Sequence, residues 1–140
     1  MTESARPVPV PDAQSEPYWD AAARHQLVAA RCSACGRFSV PPDVVCAHCG
    51  DPTAHFDWEP LKGTGVIRSW TVMHQSFVPG FDDLPFVLVD VELDDQADLR
   101  TIARLLDGPT VPLRLGDPVT VVFEDIAPDI SIPAFALVER

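Results

Sequence analysis

All four cysteines of this 140-residue chain fall in one stretch: Cys32-Ser33-Ala34-Cys35-Gly36, then, after Arg37 to Val45, Cys46-Ala47-His48-Cys49-Gly50. Two Cys-x-x-Cys knuckles, each followed by glycine, can bring four thiolates to the corners of a tetrahedron. That donor set suits Zn²⁺ best, and iron fits the same cage. Gly36 and Gly50 have a physical reason, since a turn that folds its amides toward a sulfur needs positive φ or close backbone approach. Two other chemistries compete. Disulfides would require an oxidising compartment, and nothing in the chain points to export. A redox dithiol needs only one Cys-x-x-Cys, ordinarily beside a βαβ pattern that is absent here. Cys32, Cys35, Cys46 and Cys49 are therefore the expected metal ligands. With no open coordination position their role is structural, and His48 is expected to stay exposed.

The sequence contains no nucleophile elbow, no Gly-rich phosphate loop and no His-Glu-x-x-His, so no catalytic residue is expected. Ten Lys and Arg against 21 Asp and Glu leave a formal net charge of −11. Residues 71–140 hold four bases and thirteen acids and so carry −9 of it. Nucleic-acid affinity comes largely from neutralising phosphates, which this half repels. Arginine supplies nine of the ten bases, a preference that suits bidentate contacts to carboxylate or phosphate. No apolar run approaches the ~20 residues of a membrane span. Metal-type cysteine spacing without an export signal is expected of a cytoplasmic protein.

The elements that position these residues divide the chain into three parts. Residues 1–14, with alternating Pro7, Pro9 and Pro11, are expected to be a disordered tail that packs on nothing. Residues 15–60 hold a helix and the ribbon. The helix is expected from Ser15, acting as cap, to Arg24, with an apolar stripe of Tyr18, Trp19, Ala22 and Ala23. Leu27 to Arg31 then reads as a strand leading into Cys32, and Phe38 to Val40 as its partner. Pro41-Pro42 stiffens the arm between the knuckles. Phe56 and Trp58 mark a short strand or exit arm. Residues 61–140 change texture after the breaker cluster Lys62-Gly63-Thr64-Gly65. Five strands follow, at Val66–His74, Phe86–Leu93, Leu99–Leu105, Val119–Phe123 and Ile132–Val138, which point to a small Greek-key barrel of the five-stranded OB kind. Val87, Val89, Val91 and Leu93 should face its core. The loop over residues 75–85 is apolar, and Phe77, Val78, Phe81 and Leu84 must bury under the barrel or against a partner.

The order of these features resembles a known family. A helix opening with Tyr18-Trp19 leads into the paired knuckles, then Gly63-x-Gly65-x-Ile67 opens a barrel that contains Pro85 and Gly116-Asp117-Pro118-Val119. The pattern, over residues 15–138, resembles the small zinc-ribbon plus OB-fold proteins associated with acyl-CoA metabolism, long filed as a domain of unknown function. The resemblance implies a mainly β protein: an N-terminal helix, a rubredoxin-like zinc ribbon and a C-terminal five-stranded OB-fold barrel. It also implies a hetero-oligomer in which a thiolase-like enzyme subunit (an acyl-CoA thiolase, an acyltransferase or a steroid side-chain retro-aldolase) carries the chemistry. This chain would complete the complex and assist access of acyl-CoA, the substrate of the assembly, with no nucleic acid or membrane involved. The four cysteines match the family's metal ligands.

Four cationic residues are candidates for a CoA phosphate or a partner carboxylate. Arg68 and His74 fall on one face of the first barrel strand with Trp70 and Val72 between them; such surface residues are ordinarily solvated. Arg100 and Arg104 flank Ile102 on the third strand and are the better candidates, although nearby aspartates are the expected intramolecular partners. Two rival functions remain at this point. A nucleic-acid-binding ribbon and OB module would want a basic groove beside stacking residues such as Trp70 and Phe86. A stand-alone acyl-CoA-binding module would also want cations.

Overall fold

The computed structural model describes residues 6–40 and 42–138, so Pro41 and the two chain ends lie outside the described residues. One short helix, α1 (Glu16–Ala23), precedes eight strands. Of these, β1 (Val28–Cys32), β2 (Phe38–Ser39) and β3 (Phe56–Pro60) form an antiparallel sheet in the order β2-β1-β3. The remaining five, β4 (Thr64–Met73), β5 (Phe86–Leu93), β6 (Arg100–Leu105), β7 (Pro118–Ala127) and β8 (Ile130–Leu137), close a barrel in the order β4-β5-β6-β8-β7. The expected fold class is the one observed.

The ribbon has a third strand, which decides between the short strand and the exit arm that the local pattern left open. Phe56 to Pro60 pairs with Cys32 to Val28 over five residues, so β1 is the central strand. Leu27, next to it, is buried in the barrel core cluster and anchors the start of the ribbon there.

α1 forms where expected but begins differently. Ser15 makes no side-chain cap. Asp12 organises the entry instead, with Oδ1 accepting from the Ser15 amide and hydroxyl at 2.8 Å each and from the Gln14 amide at 3.1 Å. An Asp bonds backbone donors two or three residues ahead in this way, and here it also holds the serine hydroxyl. The buried stripe is Ala21 and Ala22 with Tyr18, the i, i+3, i+4 face, and Ala23 is exposed. Burial pushes the Tyr18 hydroxyl up to about 12.

In the barrel, Val87, Val89, Val91 and Leu93 point inward at 2%, 0%, 0% and 2% exposure, packed with Ile67, Leu105, Val119 and Phe135. Gly65 is required by packing: a Cβ there would lie 2.4 Å from the Glu92 carbonyl oxygen and 2.7 Å from Val91 Cγ1. β7 and β8 run past the expected ends, to Ala127 and back from Ile130, because Glu124 and Asp125 lie on the ladder opposite Ile132 and Ser131. A strand with polar residues on its outer face is hard to delimit by hydrophobic pattern.

The expected free tail is tied down at Arg6. Its guanidinium lies 4.8 Å from the Phe81 ring centroid, and Nη1 donates to Glu124 Oε1 at 3.3 Å. An aromatic face beside a carboxylate is a strong local site for a guanidinium, which is why this residue does not stay in solvent. Residues 1–5 of that tail lie outside the described residues.

Candidate functional site

The knuckles are two copies of one local structure. Gly36 and Gly50 adopt φ of 76° and 72°, and their amides donate to the Cys32 and Cys46 carbonyls at 2.9 Å each. In each copy an amide inside the knuckle turns toward the first sulfur: Ala34 N–H to Cys32 Sγ and His48 N–H to Cys46 Sγ, both at 3.4 Å. Side chains at Gly36 and Gly50 would be strained in that left-handed backbone.

The four sulfurs lie within 4.8 Å of one another, with Cys32–Cys49 at 3.8 Å and Cys35–Cys46 at 3.7 Å. Disulfides need sulfurs at ~2.05 Å, whereas a tetrahedral Zn²⁺ with ~2.3 Å bonds sets its sulfurs about 3.8 Å apart. The donor set therefore fits a tetrahedral thiolate metal. Its electrostatics agree. Donation from the Cys49 amide, with that of His48, lowers Cys46 to about 6. At Cys49 donation from the Asp51 amide pulls downward, but desolvation and the adjacent sulfurs outweigh it and push the thiol up to about 11. Four sulfurs this close resist full ionisation until a cation sits among them, which is how metal binding couples to proton release and folding. His48 is exposed and its ring lies 3.2 Å from the Phe38 carbonyl oxygen, directed at main chain and not at the sulfurs.

The four cationic candidates are not brought together. A β-bulge between Ile67 and Ser69 adds one residue to β4, so Ile67 before it and Val72 after it both pack on the core side although five apart. Arg68 sits at the bulge and pairs with Glu92 at 3.6 Å, while His74 lies exposed beyond the end of the strand. The expected common face for Arg68 and His74 is broken by the extra residue. Arg100 and Arg104 do flank Ile102, and each has an acidic partner: Arg100 binds Asp90 through two hydrogen bonds and Arg104 binds Asp83. Arg104 is also 3.7 Å from Glu124 and stands 5.5 Å from the Phe86 ring centroid.

Loop 75–85 splits in two. Phe81 turns inward, 5.7 Å from Phe86, whereas Phe77 is 93% exposed and Val78 and Leu84 are also exposed. Sequence reasoning missed Arg6, Glu124 and Gln96. Glu124 directly follows the apolar run Val119–Phe123, and a carboxylate continuing a strand onto a partly buried face was the available signal. Gln96 had none.

A four-cysteine ribbon followed by a closed five-stranded barrel defines a zinc-ribbon plus OB-fold protein. Two family profiles match in that order: the ChsH2 rubredoxin-like zinc ribbon domain over residues 19–53 and the ChsH2 C-terminal OB-fold domain over residues 58–124. The chain belongs to the DUF35 family of proteins built in this way. It is 30% identical over 135 residues to a probable enoyl-CoA hydratase alpha subunit of Thermomonospora curvata, and spans 40% of that relative's length. A DUF35 domain-containing scaffold protein of Methanothermobacter thermautotrophicus is 29% identical over 105 residues, which cover 74% of this chain and 75% of the scaffold protein. Among solved structures, a chain of the Ltp2-ChsH2(DUF35) aldolase superposes with a TM-score of 0.79 at 29% identity, covering 92% of this chain and 98% of that one. A DUF35 protein of unknown function from Sulfolobus solfataricus, at 13% identity and TM-score 0.60 over 90% of this chain and 86% of that one, shares the fold. Among the described residues no helix is long and apolar enough to cross a membrane.

Proposed function

We propose that this chain is a non-catalytic accessory subunit of a thiolase-superfamily enzyme acting on acyl-CoA, with Zn²⁺ held by Cys32, Cys35, Cys46 and Cys49 as a structural ion. The observation that carries this reading is the likeness, over nearly the whole of both chains, to the DUF35 chain of an aldolase assembly. The description of the archaeal relatives as scaffold proteins supports it. So does the site chemistry. The four sulfurs form a closed set with no position for substrate, and on the barrel Arg68, Arg100 and Arg104 are each spent on a carboxylate. Completing a hetero-oligomer and shaping access of acyl-CoA to the enzyme subunit are roles that such a chain can fill without reacting groups of its own.

The same ion pairs weigh against the nucleic-acid reading, since a phosphate chain would have to displace Asp90, Asp83 and Glu92 from these arginines. The test is purification of the tagged full chain from its native host under mild salt, with mass spectrometry of what accompanies it. A stoichiometric thiolase-like chain is the expected result. Its absence, or micromolar binding of single-stranded oligonucleotides at low salt, would reject the proposal.

A further inference from the structure

Arg104 and Glu124 meet at the floor of a cleft of about 300 Å³, walled by Trp19, Phe81, Phe86, Ile102 and Pro133. Their side chains are only 17% and 18% exposed. One guanidinium nitrogen of Arg104 is taken by Asp83. Nε and Nη1 of Arg104 and Oε2 of Glu124 are buried with no hydrogen-bond partner; Nη1 is within ion-pair range of Glu124 Oε1 at 3.7 Å without bonding it. Buried polar atoms left unpaired are costly, so they point to something that completes them. The floor thus holds two donors beside one acceptor whose partners the described chain does not supply.

The strand that carries Arg104 is open on one edge. β6 pairs with β5 along six residues but with β8 only at Leu105–Phe135. In an antiparallel pair alternate residues direct their N–H and C=O away from the partner strand. Along Arg100–Ala103 those groups face the seam between β6 and β8, where no second strand covers them among the described residues. Ile102, 69% exposed, lies in the middle of that edge. The outer face of β5 and β6 beside this edge is the one on which OB-folds take oligonucleotides or oligosaccharides. Here its charges cancel, with Arg100 on Asp90, Arg104 on Asp83 and Arg6 on Glu124, and its walls are aromatic and aliphatic. An extended, neutral, amide-bearing occupant with an apolar side chain fits; a phosphate chain does not.

We propose that this cleft takes an extended segment of a partner polypeptide, which adds as a strand to the free edge of β6. An apolar side chain of the segment fills the space between Trp19, Phe81 and Ile102. Phe77 and Val78 rim an adjoining apolar hollow that shares Phe81 and Phe86 with the cleft, and they extend the contact. The inference deepens the accessory-subunit reading and rests on it for the partner's identity.

Two measurements on the full chain test it. In the first, the ¹⁵N-labelled protein is titrated with a capped Ala-Leu-Val-Leu-Ala peptide and, separately, with pantetheine, which carries amides without being a polypeptide. The expected result is saturable shifts at the Trp19 indole and the Ile102 and Arg104 amides with the peptide, abolished by Ile102→Asp. Shifts there with pantetheine alone, or with neither probe, overturn the proposal. In the second, the purified thiolase-like partner is titrated with wild-type, Ile102→Asp and Val44→Asp chains, Val44 being an 84% exposed ribbon residue away from the cleft. Ile102→Asp should weaken binding at least tenfold and Val44→Asp less than twofold. Equal affinity for wild type and Ile102→Asp would overturn the docking cleft and leave the accessory-subunit reading standing. Peptide binding at the cleft with no thiolase-like chain recovered would support the cleft and reject that reading.

Discussion

Gln96 and Phe38 are joined by a two-point amide contact: the Phe38 N–H donates to Gln96 Oε1 at 2.8 Å, and Gln96 Nε2 donates to the Phe38 carbonyl at 3.1 Å. A side-chain amide in the β5–β6 connection thereby pairs with the first residue of β2 in the ribbon. The His48 ring lies against the same carbonyl, so the second knuckle, the ribbon strand and the barrel hairpin meet at one backbone group. Phe38 and Val40 pack on the barrel core at this junction.

Gln96→Ala should leave the Phe38 N–H without its partner and the Phe38 carbonyl with the His48 ring alone. The expected cost is about 1–3 kcal/mol, the penalty of unsatisfied part-buried groups. Chemical denaturation measures it, and hydrogen exchange at the Phe38 amide should accelerate while metal content stays unchanged. Unaltered exchange at Phe38 would show that the contact does not couple ribbon to barrel.

Cys35→Ser should release the metal and unfold the ribbon. Zinc binding in such peptides is worth ~10–16 kcal/mol, far more than a three-stranded sheet this small can supply from its own core. Elemental analysis should show loss of zinc, and circular dichroism should show the barrel's β-signal partly kept. Partner binding should disappear. A metal-free variant that still assembled would refute the structural role.

Gly65→Ala should destabilise the barrel by about 1–3 kcal/mol or more, since the new methyl must push the Glu92 carbonyl and Val91 off their positions. Thermal unfolding reads this directly. A melting temperature within a degree of wild type would mean that β4 and β5 yield at this point.

Acid should destabilise the fold through specific carboxylates. The Arg100 hydrogen bonds hold Asp90 below its ordinary value, and the Ser131 hydroxyl, then His25, do the same for Asp125. Because both are lower folded than unfolded, their contribution is fully present above the unfolded value of ~4 and is lost as pH falls through the folded values. Urea midpoints measured from pH 7 to pH 2.5 should drop below pH ~4. In Asp90→Asn the drop should be smaller, because the variant starts lower at pH 7 and has one such group fewer to protonate. An identical pH profile for wild type and variant would remove Asp90 from this account.

Much of the architecture was legible because its signals are local. Cysteine spacing, the alternation of Val87, Val89, Val91 and Leu93, and the turn residues between strands each act within a few positions, so the ribbon, the barrel and the core strand could be read directly. The bulge at Arg68 was not legible, because one extra residue in a strand is defined by the register of its neighbour, and it inverted the face assigned to Trp70 and Val72. The cap at Ser15 failed for a related reason: Asp12 engages the Ser15 hydroxyl itself, and the Tyr18 amide donates to the Ser15 carbonyl.

By itself the sequence determined the paired-cysteine pattern, the order of helix, ribbon and barrel, and the absence of familiar catalytic motifs, since each depends on residue types at short separations. Only the tertiary structure decided what long-range packing decides. It brought the four sulfurs within 4.8 Å, set Gln96 against Phe38 across 58 positions, and carried Arg6 across 118 positions to Glu124. It also left the edge of β6 open beside Arg104, because a barrel seam is fixed by which strands meet and where they part, and no local pattern encodes that.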